Sequence, residues 1–269
     1  MKMYWAERCG TAPGSLIAGT GYVETVFKKA VNIRMKNDIC LSIVDSSLDL
    51  APNRIILPPG ALEQIRFQPN DSVWVGKNTL FHHCNMVHFS PSPSTKWKAI
   101  YPSGTSILQI KRALSLGRGA CRVFLGLDTG SIYEQKVAGL TGTLAAGMQS
   151  GTNLIGLGPG FTPAGDDVLT GYCALAKRLG WLDPEWHLRS VEKAFAESTI
   201  LSATALYFAG RGQVQGLLDN VLQALTDQDL LASACLILIN EVGTTSGSDM
   251  LLGVLAACMY TLTRENSCV

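Results

Sequence analysis

Between Gly156 and Gly171 the chain reads Gly-Leu-Gly-Pro-Gly-Phe-Thr-Pro-Ala-Gly-Asp-Asp-Val-Leu-Thr-Gly. Glycine and proline alternate through its first half, which rules out a helix there: proline removes a backbone donor and glycine is costly to order. The second half runs on into Tyr172–Leu179, a helix-forming stretch. Thr162 is the expected N-cap, Pro163 the first helical residue, and Asp166 and Asp167 place two carboxylates in the first turn. A glycine-rich turn that enters a helix presents unpaired N–H groups to whatever lies in front of it. The stretch is not a Walker loop, since no Lys-Ser/Thr follows, and it lacks the spacing of a dinucleotide fingerprint.

The pattern occurs twice. Thr244-Thr245-Ser246-Gly247-Ser248-Asp249-Met250-Leu251-Leu252-Gly253 aligns without gaps on residues 162–171, with Thr, Gly, Asp, Leu and Gly at equal offsets. Asp249 therefore corresponds to Asp167. Two matching helix starts in one domain suggest two N-termini converging on one pocket. Gly158, Gly160, Thr162 and Gly165 from the first copy, and Thr244, Thr245, Ser246 and Gly247 from the second, are the candidate substrate-binding residues. Asp166, Asp167 and Asp249 are the candidate catalytic carboxylates. The competing reading is two ordinary capped helices whose glycines permit close packing.

Helix N-termini favour anions, yet three carboxylates sit at these two. If they only offset the dipoles, the site is structural. If they line a pocket, its ligand offers both anionic groups and N–H donors, or a cation bridges to phosphate. Asp166 and Asp167 are the residues for Mg2+ in that case. Ser198 and Ser202 are spaced to share a helix face and either bond back to their own helix or line the same pocket. No Ser-His-Asp triad is apparent, because His187 follows Trp186 in an expected surface turn. Positioning and charge stabilisation are then the means of catalysis.

The fold class expected is α+β. Short runs rich in Val, Ile, Tyr and Phe between residues 21 and 89 predict a small antiparallel sheet or barrel of about five or six strands. Within it His82, Cys84, Met86 and His88 would share one face of a strand, a row that rarely closes a tetrahedral metal site. Ser90–Thr95 is the expected linker, so that a β-rich domain over 1–95 precedes a helical domain over 96–269. Helices are expected over Ser106–Leu116, Ile132–Met148, Trp186–Ala209, Gln213–Thr226 and Asp229–Glu241. Net charge is +1, which leaves no footprint for nucleic acid or an anionic membrane. The longest apolar run, Met250–Thr263, is too short to span a bilayer. The eight cysteines show no CxxC pair, and Cys173, Cys235 and Cys258, set among Ala and Leu in helical stretches, read as buried small hydrophobes in a reducing cytoplasm. Only 16% of residues are charged, which suggests surface covered by other subunits.

The motifs GxGPGxTPxxDDxLxG and TSGxDxLLG resemble those of the bacterial family containing the small subunit of oxamate carbamoyltransferase. Phe27–Asn32, Pro52 before Arg54–Leu57, and Ser198–Ser202 with Leu206, Ala209 and Gly212 are also similar to that family, so the likeness spans most of the chain. It implies a subunit of a carbamoyl-transfer enzyme of ureide (allantoin and oxalurate) catabolism. That enzyme is active only with partners, one of them resembling acyl-CoA synthetase subunits and another a further subunit. The implied ligands are oxalurate, whose carboxylate and keto oxygen need donors and whose ureido end needs acceptors, and phosphate. The alternatives are a noncatalytic anion-binding or assembly subunit, and a stand-alone enzyme acting on another carboxylate or phosphate.

Overall fold

Nine strands, each eight residues or fewer, build the N-terminal part: β1 (Lys2–Trp5), β2 (Arg8–Cys9), β3 (Gly19–Val26), β4 (Ala30–Met35), β5 (Cys40–Asp45), β6 (Arg54–Leu57), β7 (Ser72–Val75), β8 (Thr79–His82) and β9 (Asn85–His88). A five-residue helix, α1 (Ala61–Ile65), lies between β6 and β7. The computed structural model describes residues 1–93, 101–147 and 149–266. The chain divides into two compact units, Met1–Lys96 and Trp97–Val269. The overall class is α+β.

The strands form one sheet in the order β1-β9-β8-β7-β3-β4-β5-β6-β2. Two pairings, β1 with β9 and β5 with β6, are parallel and the others antiparallel. The sheet is thus larger than expected and mixed. The edge strands are too short to show a period, and parallel pairing depends on distant partners that no local pattern reveals. The sheet curls until its edges meet. The Ala6 amide donates to the carbonyl of His88, while its neighbour Glu7 donates to the carbonyl of Ile56. Two successive residues therefore join the β9 side to the β6 side. Alternation supplies the interior: in β7 Val73 and Val75 are buried and alternate with exposed Ser72 and Trp74, and in β8 and β9 Leu80 and Val87 are buried between half-buried neighbours.

The expected row of His82, Cys84, Met86 and His88 does not exist on one strand. The chain reverses at His83 and Cys84, with His82 opposite Asn85, and His83 takes a left-handed φ of 50°. Part of the expected linker also belongs to this unit, since Ser92 donates through both its amide and its hydroxyl to the carbonyl of Cys9. Ser94 and Thr95 lie outside the described residues.

The second unit is helical: α2 (Gly104–Ser115), α3 (Ala120–Phe124), α4 (Ile132–Ala145), α5 (Ala164–Arg178), α6 (Pro184–Glu197), α7 (Ile200–Ala209), α8 (Gly216–Gln223), α9 (Gln228–Glu241) and α10 (Ser246–Asn266), with 3₁₀ turns at Gln149–Leu154 and Ala224–Thr226. Ser103 and Ser131 close capping boxes on α2 and α4, and Asp183 caps α6 with Pro184 in its first turn. Met148, the expected end of α4, lies outside the described residues. The single helix expected over Trp186–Ala209 is two. Ser198 is extended, with φ −126°, and the Thr199 hydroxyl accepts from the Ser202 amide to start α7. A hydroxyl that can cap offers the backbone a way out of the helix.

At the centre, α5 and α10 are buried on almost every side, as helices apolar all round must be. Their glycines let the backbones meet. A methyl on Gly171 would overlap the carbonyl of Met250, and one on Gly253 would overlap the carbonyl of Val168. In the sequence repeat Val168 matches Met250 and Gly171 matches Gly253, so the two contacts are reciprocal.

Candidate functional site

The loop before α5 turns on left-handed glycines, Gly156 at φ 72°, Gly158 at 118° and Gly160 at 92°. Only glycine adopts these values without strain. The Gly156 amide donates to Asp166 Oδ1 (3.0 Å), tying the loop back onto the helix it precedes. Helix α5 begins one residue later than the sequence suggests. Pro163 keeps a non-helical ψ of 138° and its carbonyl accepts from the amides of Asp166 and Asp167. The Thr162 hydroxyl, freed from capping, pairs with the Ser246 hydroxyl at 3.0 Å. That bond joins the two motifs directly.

The three aspartates are all buried, but in different company. Asp166 is satisfied, with Oδ1 on the Gly156 amide and Oδ2 accepting from the Ser198 hydroxyl. Burial still raises its pKa, against the pull of these bonds. Asp167 is driven well upward by burial and by the charges of Asp249 and Asp166, which the Ser246 hydroxyl only partly opposes. Its Oδ2 has no partner. Asp249 is 0% exposed, and neither oxygen has a partner of normal geometry. Burial, with a contribution from Glu134, pushes it up to about 7 although the Thr245 hydroxyl opposes the shift. The Ser202 hydroxyl is likewise buried, near enough to Asp166 to favour its charged form but without a hydrogen bond of normal geometry. Buried oxygens without donors are uncommon enough to need a reason.

The remaining candidates sort by what their neighbours require. Gly165 and Gly247 allow close packing, since methyl groups there would overlap the carbonyls of Leu154 and Leu238. Gly158 seats the loop against the Ala164 amide, whereas Gly160 faces open space. Thr244 is exposed, Thr245 half-buried. His187 is not in a surface turn. It lies on α6, with Nε2 3.0 Å from the Leu206 carbonyl, and its ring fills the space left by Gly210.

One contributor goes unnoticed in the sequence. Gly119, at φ 74°, brings the loop before α3 against α10, where an added methyl would stand 3.6 Å from Asp249 Oδ1. In the same loop the Arg118 amide donates to the Ser248 hydroxyl at 3.3 Å, and the Arg118 side chain is exposed. The only available signal was Gly117-Arg118-Gly119 itself, too short to separate from an ordinary helix end. Among the described residues, the one group of three or more ligating side chains close enough to share a metal ion is Asp71, His82 and His83. The motif aspartates do not form such a group.

Two family models match the chain: the oxamate carbamoyltransferase subunit AllH over residues 154–258, and the AllH family N-terminal domain over residues 8–94. The chain belongs to the AllH family. The AllH subunit match contains both motifs, all three aspartates and Ser198–Ser202, while the loop at Gly119 falls in the segment that neither model covers. A search of curated proteins and one of solved structures found no match. No helix among the described residues is long and apolar enough to cross a membrane.

Proposed function

We propose that the chain is a subunit of a carbamoyl-transferring enzyme of ureide breakdown, with its ligand site where α5 and α10 begin. The family match supports the enzyme class. The observation that carries the site is the meeting of two copies of one motif around buried carboxylate oxygens that lack hydrogen bonds of normal geometry. On this reading the ligand supplies the missing donors, and the ureido N–H groups of oxalurate are suitable ones. With its pKa raised to about 7, Asp249 carries a proton in part of the molecules at neutral pH and then also offers an O–H to the ligand's carboxylate or to the departing nitrogen. In the reaction proposed, a phosphate oxygen bonds to the carbamoyl carbon of oxalurate, the bond from that carbon to the oxamate nitrogen breaks, and the nitrogen takes up a proton. Carbamoyl phosphate and oxamate are released. Amides at the glycine-rich turn suit the phosphate, and the exposed Arg118 adds a cation nearby. Asp166 and Asp167 look to different partners, so Mg2+ is not part of this proposal.

The burial of Asp249 favours a second reading, in which the subunit binds an anion to organise an assembly and catalyses nothing. Co-expression with an acyl-CoA-synthetase-like subunit and the further subunit, followed by an assay of oxalurate phosphorolysis, separates the two. We expect turnover in the complex and at least a tenfold loss with Asp167→Asn, equivalent to about 1.4 kcal/mol or more of transition-state stabilisation. Turnover unchanged by Asp167→Asn would remove the site from the chemistry, and a complex that forms but never turns over would leave the assembly reading.

A further inference from the structure

We propose that Asp71, His82 and His83 form a binding site for a divalent d-block cation, Zn2+ foremost, on the rim of the β-sheet unit. The site is independent of the helical motifs. His82 Nε2 lies 2.7 Å from Asp71 Oδ2 and His83 Nε2 lies 3.0 Å from Asp71 Oδ1. The three ligand atoms are all within 4.8 Å of one another. Around one zinc ion with bonds of about 2.0–2.1 Å, tetrahedral ligand atoms stand about 3.3 Å apart. The two histidine–carboxylate separations need to open by only a few tenths of an ångström to match that spacing, and the two imidazole nitrogens already lie within 4.8 Å of each other.

The fold holds these groups in place before any ion arrives. Asp71 precedes β7, whose Val73 lies opposite His82 in β8, and its Oδ2 also accepts from the Gln68 amide at 2.7 Å. The His82 side chain is only 1% exposed and its ring packs on Phe67, with centroids 4.3 Å apart. The left-handed turn at His83 sets the second imidazole beside the first, with ring centroids 4.4 Å apart. Two imidazole nitrogens and one carboxylate oxygen are a donor set for zinc and its transition-metal neighbours, not for Mg2+ or Ca2+.

A plain hydrogen-bonded cluster accounts less well for two features. His82 Nδ1 is buried with no partner, so the ring is unsatisfied on that side in either tautomer. Moving its proton from Nε2 to Nδ1 to free a lone pair for a metal therefore sacrifices no further hydrogen bond at Nδ1. The cluster is also graded in exposure, from 1% at His82 through 16% at Asp71 to 61% at His83. An anchored inner ligand with an accessible outer one allows an ion to enter and leaves a coordination position for water.

The test uses the purified full-length chain, stripped of metal with a chelator and titrated with Zn2+ by calorimetry and with Co2+ by visible absorption. One equivalent of each is expected to saturate, and Zn2+ is expected to raise the melting temperature. His83→Asn, at an exposed position that leaves the fold intact, is expected to weaken binding at least tenfold and to abolish the thermal shift. Asp71→Asn, which can still accept from the Gln68 amide, is expected to do the same. Cys84→Ser and His88→Asn are the controls and should bind as the wild type does. Failure of the wild type to saturate at one equivalent would overturn the proposal. So would wild-type affinity in His83→Asn, or a loss in Cys84→Ser equal to that in His83→Asn.

Discussion

Asp249 carries the least comfortable side chain in the helical unit, a carboxyl group closed off from water with no hydrogen bond of normal geometry to either oxygen and only the Thr245 hydroxyl to offset its burial. A group so placed gives up its charge before it gives up its position. Its folded pKa, about 7, lies above the ordinary 3.8, so the folded chain binds this proton more tightly than the unfolded chain does. The stability this provides is complete below about pH 4 and is lost as pH rises to about 7. The difference is on the order of 4 kcal/mol at most. Asp249→Asn should flatten that part of the stability–pH curve and melt at or above the wild-type temperature at pH 8, as thermal denaturation across the range would reveal. A variant with the wild-type slope would mean the burial is relieved in solution. The repeat made Asp249 legible from the sequence. Its lack of partners was not, because Gly119 and Glu134, which stand near it, come from more than a hundred residues away. Adjacent carboxylates were equally hard to tell apart: Asp166 is satisfied and Asp167 is not, and only the loop at Gly156 and the break at Ser198 make the difference.

Helix starts were the most legible elements, because a cap is a local device. The expected start of α4 at Ile132 matches the observed one, while those of α2 and α6, at Ser106 and Trp186, fall two residues inside the ends that Ser103 and Asp183 cap. The division between α6 and α7 shows the limit: Ser198 and Thr199 fit a helix face and a cap equally well, and the packing of Ser198 against Asp166 decides. Glycine inside a helix is ambiguous in the same way. In α4 an added methyl at Gly139 would meet nothing within 4 Å among the described residues. Gly139→Ala should therefore stabilise the protein by about 0.4–1 kcal/mol, through propensity alone. Gly171→Ala receives the same gain in propensity but must push α5 away from α10, and should destabilise by about 1–3 kcal/mol or more. Denaturant unfolding of the two variants side by side gives the comparison. Equal effects would mean that the contact between the two backbones yields readily.

At the scale of the whole molecule, the β-sheet unit is closed by a seam only two residues wide. Glu7→Pro would delete the amide that reaches Ile56, leave that carbonyl unpaired and expose the edge of β6. A cost of about 1 kcal/mol corresponds to roughly 4–8 °C for a unit of this size, measurable by circular dichroism. Glu7→Ala keeps the amide and should melt within a degree or two of the wild type. Neither the closure nor the nine-strand order could be read from residues 1–9, where β1 and β2 are too short to carry a pattern and their partners lie some eighty and fifty positions on, respectively. The helical unit has its own long-range relation, in the exchange of glycine and carbonyl between α5 and α10. In an assembly of separate subunits, such pairing, in which one patch meets its own copy, is the mark of an isologous interface. Here the two copies are covalently joined and free to diverge. One half carries the paired acids Asp166 and Asp167, and the other has Ser248 at the position of the first. A ligand lying across the local two-fold would meet two half-sites alike in backbone and unlike in charge, and that mismatch would give an unsymmetrical molecule a single direction in which to bind.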